Sequence, residues 1–364
     1  MAQQRMARYD ATVISSLRKR TSLVVIVVAA ILASTGAAGA TRPDSVPTQS
    51  ALKGASDLSV IVEPSRLGSA SGMQPIYSFV LSAKKSLDMT MYELADATME
   101  SDLIEDAHRG VRVRVILDSN RERSRNTAAF DTLKAGGVKV VWADPSYEAT
   151  HQKTISVDDD RSLILSGNLT AEYYTTTRDF GIFDSNPTDV EAIEAVFAAD
   201  FDHKPITPVN GTDLVWSPGS EPQMLAVIDG ARHTLSIENE EMDDSAITSA
   251  IAAAAARGVN VEVTMTADTY DASLDEIVKA GGHVHLYADY SSDLYIHAKT
   301  TIADAGRSDE KLYVGSVNFS SASMEYNREL GIITTNAAVI ADLNSVVTGD
   351  YTNCTAATDC RSYA

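Results

Sequence analysis

"THQKTISVDDDRSLILSGNLT" spans residues 150–170, and "IHAKTTIADAGRSDEKLYVGSVNFS" spans residues 296–320. The two stretches carry one pattern. Each reads His-x-Lys, four residues, Asp, so that His151, Lys153 and Asp158 match His297, Lys299 and Asp304 at an offset of 146. Each then reaches a second β-rich run ending in Ser-x-Asn, with Ser166 and Asn168 matched by Ser316 and Asn318. Each continues to an acid before Gly-Ile, Asp179 in "RDFGI" and Glu329 in "RELGI". These later pairs are offset by 150, so the second copy has gained four residues between its runs. In an extended strand the side chains at i and i+2 share a face, so each histidine is expected to project beside its lysine. Asp304 lies seven residues beyond His297, an odd spacing that places it on the opposite face of a regular strand.

The repeat extends upstream. "SLDMTMYEL" (86–94) parallels "TLSIENEEM" (234–242), "RGVRVRVILD" (109–118) parallels "RGVNVEVTMT" (257–266), and "AGGVKVVWAD" (135–144) parallels "AGGHVHLYAD" (280–289). Between these β-rich runs lie helical patterns such as "MESDLIEDAHRG" and "SAITSAIAAAAARG". Such alternation predicts an α/β fold, two repeats with mixed β-sheets flanked by helices. The first repeat is read over residues 58–202 and the second over 213–351, joined by the Pro- and Gly-bearing segment 203–212. Two copies of one site-bearing unit are expected to form a pseudo-twofold pair whose motifs meet at the interface.

The chain has 364 residues, with 30 Lys+Arg against 50 Asp+Glu and a net charge of −20. That balance repels a polyanion at long range and disfavours nucleic acid as a partner. Arg18, Lys19 and Arg20 precede an apolar run from Leu23 to Ala33, and small residues end in Ala38-Gly39-Ala40. This is the layout of a secretory signal over residues 1–40, with an uncleaved membrane anchor as the alternative. Its removal would take away five basic residues and one acid, leaving 25 against 49. Residues 41–57 read as a flexible leader and 352–364 as a C-terminal tail. The tail holds both cysteines, Cys354 and Cys360, which in an exported chain read as one structural disulfide.

Two His-x-Lys-x4-Asp motifs, each followed by Ser-x-Asn and a later acid, resemble the phospholipase D superfamily, in its secreted bacterial form. The resemblance covers nearly all of the chain beyond the leader. One departure is Leu165, where the second copy has Gly315 before its serine. The chemistry suits the residues. A neutral imidazole can attack phosphorus and form a covalent intermediate. A second imidazole can protonate the leaving alcohol and then take a proton from water. Lys153, Lys299, Asn168 and Asn318 would surround the nonbridging oxygens, with no metal and no cofactor required. Asp179 and Glu329 fit as carboxylates that hold the other ring nitrogen of each histidine, the role that the resemblance also assigns to them. The resemblance makes Asp158 and Asp304 structural, with Ser166 and Ser316 completing the motifs, and gives the attack to His151 and the general-acid role to His297. Sequence alone does not separate those two roles.

The expected function is a secreted phosphodiesterase of phospholipase D type, a monomer acting on the head group of a glycerophospholipid at a membrane or micelle surface. Transfer to an alcohol should accompany hydrolysis. The rivals are a nuclease of the same superfamily and a silent phosphodiester-binding protein. Other features are read as structure. His283 and His285 would share a strand face, but their counterparts are Val138 and Val140 and no third ligand is near. "ENEEMDD" (238–244) reads as a solvated acidic loop, with lining the cleft or attracting a cation as the alternative. Tyr173 and Tyr174 either border the pocket or pack.

Overall fold

The chain was analysed as a computed structural model that describes residues 58–63, 70–267, 270–288, 294–354 and 360–363. The signal and leader read over residues 1–57 lie outside the described residues. No described helix is long and apolar enough to cross a membrane.

Each repeat builds one mixed sheet, and the two sheets have the same strand order. The first runs Leu58–Glu63, Thr177–Asp184, Arg161–Leu165, Thr154–Val157, Ser86–Met91, Arg112–Leu117, Lys139–Trp142. The second runs Leu214–Ser217, Glu329–Thr334, Lys311–Gly315, Thr300–Ala303, Thr234–Glu238, Asn260–Thr266, His283–Tyr287. The last three strands of each series are mutually parallel. Their crossovers are helical, as parallel pairing demands. The remaining pairs are antiparallel. Matching helices start on matching caps: Asp96 accepts from the amides of Thr98 and Met99, and Asp244 from those of Ala246 and Ile247.

Period-two alternation sorts the side chains of the central strands. Leu87, Met89 and Met91 share a face with Val113 and Val115, and pack on Ile76, Met99, Leu103 and Leu133 of the flanking helices. Leu235, Ile237, Val261 and Val263 do the same with Ile247, Ile251, Leu274 and Ile277. A third cluster belongs to both repeats. It unites Ile164, Phe180 and Ile182 with Leu312, Val314, Leu330 and Ile332, and takes in the helices Pro187–Phe201 and Ala337–Cys354. The repeats therefore share a core, which fixes their relative placement by burial of apolar surface.

The motif aspartates sit where the chain leaves a strand. Asp158 and Asp304 both have left-handed backbones, φ 57° and 54°, a region that Asp tolerates better than most residues. Asp158 accepts from the backbone amides of Lys84, Lys85 and Ser86 at 2.6–3.1 Å. Asp304 accepts from those of Arg232, His233 and Thr234 at 2.6–3.0 Å. Burial would raise both carboxyls, but these three amides outweigh it and hold them below the usual range. Each aspartate thus ties the motif to the start of the central strand. The regular strand assumed for these residues ends at Val157 and at Ala303, so the aspartate turns away from its histidine by leaving the strand, not by parity.

The C-terminal tail is partly ordered into the fold. The last helix runs on to Cys354, which is disulfide-bonded to Cys360 with Cα atoms 5.0 Å apart. Cys360–Tyr363 then pairs antiparallel with His283–Tyr287 as an extra edge strand. His285 is buried there, with Nδ1 2.9 Å from the Tyr351 carbonyl oxygen and its ring stacked on Tyr351, while His283 is exposed.

Backbone and side chains stitch the repeats together twice, in matching fashion. Tyr295–Ile296 of the second repeat pairs parallel with Thr177 and Arg178 of the first, and Thr150 bridges Arg328 in parallel. The two arginines cross the seam. Arg178 donates from Nε and Nη2 to Asp350 at 2.5 and 2.9 Å. Arg328 lies with Nε 2.9 Å from Asp200 Oδ2 and donates from Nη2 to Oδ1 at 3.1 Å. Asp200 and Asp350 are related by the same offset of 150 as the arginines. Removing one member of a buried charge pair strands the other charge, so Arg328→Met should lower stability by about 3–5 kcal/mol, and Arg328→Met with Asp200→Leu should recover most of the loss. Urea titration of the two variants checks this; equal destabilisation by both would show that packing, not charge pairing, holds the seam.

Candidate active site

His151 and Lys153 precede the strand Thr154–Val157 rather than lying in it: the backbone of His151 is engaged across the seam, while the Lys153 carbonyl accepts from the Leu165 amide of its own repeat. The amides of His151 and Gln152 both donate to the Arg328 carbonyl at 2.9 and 3.0 Å, and the His297 amide donates to the Arg178 carbonyl at 3.2 Å. Each histidine is thereby delivered to the strand that carries the other repeat's acid. His151 Nδ1 lies 2.8 Å from Glu329 Oε2, and His297 Nδ1 lies 2.9 Å from Asp179 Oδ1. All four side chains are buried. The carboxylates are crossed: each repeat supplies the acid for the histidine of its partner.

The acids are held differently. Asp179 accepts from the Ser166 hydroxyl at 2.6 Å, and Ser166 in turn accepts from the Phe180 amide. Glu329, one methylene longer, bypasses Ser316. It accepts from Ser323 Oγ at 2.6 Å and Asn327 Nδ2 at 3.1 Å, while the Ser316 hydroxyl donates to the Leu330 carbonyl. Gly167 is needed on the first side, since a Cβ there would meet the Asp179 carboxyl at 2.7 Å; the second repeat has Val317 in its place. Burial would raise both acids. The adjoining histidine and lysine outweigh that and keep Asp179 and Glu329 below the usual carboxylate range. Leu165 does not disturb its strand end: it pairs opposite Gly181, whose missing side chain leaves room for it.

The cations are fully buried. Lys153 donates to the His151 carbonyl at 2.6 Å and lies 4.8 Å from the centre of the Tyr92 ring, which also meets His151 edge-on at 4.5 Å. Among the described residues no carboxylate pairs with Lys153. Burial first, and then the charge of Lys299, push its ammonium down to about 7. Burial likewise lowers His151, against the pull of Glu329, so its neutral form is favoured. With Nδ1–H directed at Glu329, Nε2 carries the free lone pair. Lys299 differs: its ammonium donates to Glu240 Oε2 at 2.9 Å as well as to the His297 carbonyl. The side-chain oxygens of Asn168 and Asn318 have no hydrogen-bond partner among the described residues. Asn318 donates from Nδ2 toward Glu240 Oε2 at 3.4 Å.

Glu240 was not singled out as a site residue. The segment 238–244, read as a solvated acidic loop, is instead largely internal: Glu238, Asn239 and Glu240 are buried at the end of the central strand, which aims them toward the seam. The signal was available, since Glu240 aligns with Tyr92 where the two upstream runs diverge. Ser323, Asn327 and the seam pairs Arg178–Asp350 and Arg328–Asp200 were also missed. Tyr173 and Tyr174 turn out to bond outside the catalytic set, Tyr173 accepting from Arg125 and Tyr174 donating to Asp96.

Comparison with known proteins agrees with this architecture. Residues 76–201 and 224–350 each match the family described as cardiolipin synthase, PLD-like domain. The sequence is 25% identical over 293 residues to the major cardiolipin synthase ClsA of Bacillus subtilis (strain 168), covering 68% of this chain and 59% of that protein. The chain therefore spans less than two thirds of that relative's length. Among solved structures, a phosphatidylserine synthase of Haemophilus influenzae Rd KW20 superposes with a TM-score of 0.61 at 12% identity, over 84% of this chain and 87% of that one. A polyphosphate kinase of Porphyromonas gingivalis gives 0.65 at 13% identity, over 84% and 48%. At such identities both speak for the fold alone. With a family match in each repeat and both motifs intact, the chain belongs to the phospholipase D superfamily, in the family of cardiolipin synthase PLD-like domains.

Proposed function

We propose that the protein cleaves the head-group phosphodiester of a glycerophospholipid by way of a phosphatidyl-histidine on His151. The observation that carries the reading is the asymmetry of the two histidines. His151 is buried, neutral by preference, and has its Nδ1 committed to Glu329 beside a lysine that has no ion-pair partner among the described residues. His297 faces a carboxylate at each ring nitrogen, Asp179 at Nδ1 and Glu240 3.4 Å from Nε2. In the first step His151 Nε2 forms a bond to phosphorus, the bond to the head-group oxygen breaks, and that oxygen takes the Nε2 proton of His297. In the second step water attacks phosphorus, gives its proton to His297 Nε2, and the N–P bond breaks. Lys153, Lys299 and the two asparagines stabilise the charge on the nonbridging oxygens throughout. The export signal read in residues 1–40 would deliver this activity outside the cell.

Transfer to an alcohol in place of water is a second reading, favoured by the family match and the cardiolipin synthase of B. subtilis. The covalent intermediate serves both acceptors. Vesicles of phosphatidylcholine, phosphatidylethanolamine or phosphatidylglycerol, incubated with the protein and chelator, should release phosphatidic acid. Phosphatidylethanol should appear on adding ethanol, and diphosphatidylglycerol from phosphatidylglycerol alone would mark a synthase. Salt-sensitive cleavage of DNA without lipid turnover would replace the lipid reading with a nuclease.

Two further outcomes test the roles. His151→Asn should lower turnover at least about 1,000-fold and leave no labelled protein. His297→Asn should let the labelled intermediate persist, as mass spectrometry of rapidly quenched protein would show. A label on His297 in the wild type would exchange the two assignments.

The pH dependence follows from Lys153. Its ammonium binds phosphate and is lost as pH rises through about 7 in the free protein, so kcat/KM should fall on that side. Bound phosphate favours the charged form, so the same limb should lie at higher pH in kcat. Lys153→Arg keeps its charge throughout and should remove the limb; a limb unchanged in that variant assigns it to another group.

A further inference from the structure

The two half-sites are built from matching parts, and the difference nearest the lysines is at one position. Where Tyr92 lies against Lys153 and His151, the second repeat places the carboxylate of Glu240 against Lys299 and His297. Glu240 Oε2 accepts from Lys299 Nζ at 2.9 Å and Asn318 Nδ2 at 3.4 Å, and lies 3.4 Å from His297 Nε2. Those are the lysine, asparagine and reacting nitrogen that the second motif contributes. Its other oxygen, Oε1, accepts from the Tyr295 hydroxyl at 2.7 Å. A carboxylate oxygen and a phosphate oxygen are equivalent acceptors, both anionic, and both take charge-assisted hydrogen bonds from the same groups. They cannot hold one set of donors together, since two anions at that separation repel in a poorly solvated site.

We propose that Glu240 is a positioning residue whose carboxylate holds the place of a phosphate oxygen in the second half-site, and that the phosphate of the substrate displaces it from Lys299, Asn318 and His297 Nε2. This deepens the functional reading above and rests on it only in taking phosphate as the ligand. The first half-site needs no such device, because Lys153 is sheltered by the Tyr92 ring and can lose its proton while it waits. The second keeps its lysine and its histidine beside an anion at every stage, first the carboxylate and then the substrate. Burial would raise Glu240, but Lys299, His297 and Tyr295 outweigh it and keep it anionic, and Glu241 is the neighbouring acid that feels its charge. Exchange of one anion for another costs affinity: only a fraction of the resting protein is competent, and the apparent dissociation constant is the intrinsic one divided by that fraction.

Calorimetric titration of the full chain with inorganic phosphate tests this without any lipid. Glu240→Gln keeps the shape and the acceptor oxygen but removes the competing charge, so it should bind phosphate at least about tenfold more tightly than the wild type. A role that merely supports the site would weaken phosphate binding or leave it unchanged, and either result in a folded Glu240→Gln protein overturns the proposal, as does absence of binding in both. Should that variant fail to fold, Tyr295→Phe decides. It removes one tie on the carboxylate, and tighter phosphate binding supports displacement while unchanged or weaker binding overturns it. Lipid turnover is measured separately. An active lipase with no gain in Glu240→Gln loses only this inference, and a phosphate gain in a protein inert toward lipids loses only the functional reading.

Discussion

Everything in the site depends on a pair of buried hydrogen bonds that cross between the repeats, from His151 to Glu329 and from His297 to Asp179. A histidine that must present Nε2 to a reacting atom needs Nδ1 fixed, and here the fixing group always comes from the other half of the chain. Neither repeat holds a complete catalytic set. The seam must therefore be reproduced closely, because a displacement of about 1 Å in a supporting shell is enough to disable a site. That demand explains why the seam is over-determined: a shared apolar core, two parallel backbone contacts and two buried Arg–Asp pairs all act across it. Folding and catalysis are thus coupled through the same few residues. Arg178 and Arg328 immediately precede the catalytic acids, and their carbonyls receive the histidine amides.

Symmetry of the scaffold coexists with asymmetry of the chemistry. The sheets agree strand for strand, the motif aspartates make the same three-amide brace, and helices start on matching aspartates. The differences are confined to the middle of the site. Asp179 leans on Ser166 while Glu329 leans on Ser323 and Asn327, and Tyr92 stands where Glu240 does. In the proposed reaction the two histidines have different tasks, one to offer a lone pair and one to offer a proton. An aromatic ring on one side and a carboxylate on the other break the equivalence, and the rest of the duplicated framework is left unchanged.

Much of this was legible in the chain. Two motifs in register, with the same upstream and downstream runs, gave the repeat, the mixed sheets and the list of converging side chains. What the residues did not give was which acid serves which histidine. Spacing and parity describe one strand, whereas the crossing arises where two strands from distant parts of the chain lie parallel. The brace aspartates show the limit in small: they do point away from the histidines, but through a left-handed turn that a regular-strand argument does not contain. Segment 238–244 shows it at greater cost. Five acids in seven residues look like a solvated loop by composition. The central strand nevertheless drives Glu238 and Glu240 inward, and buried lysine and histidine make that tolerable for Glu240. Composition could not anticipate partners supplied from 59 residues away.

The charge of the molecule and the charge of its site point in opposite directions, and the contrast bears on what the site can take. The chain carries −20 overall, while the two lysines of the site are wholly buried. Screening limits the reach of the surface charge to about 10 Å at 0.1 M salt, so it acts on what approaches rather than on what has entered. A polyanion meets that field along its whole length. A lipid presents one phosphate at the tip of a head group and meets it once. Inside, Asp179 and Glu329 lie against the two histidines and Glu240 against Lys299, which leaves Lys153 without an ion-pair partner among the described residues.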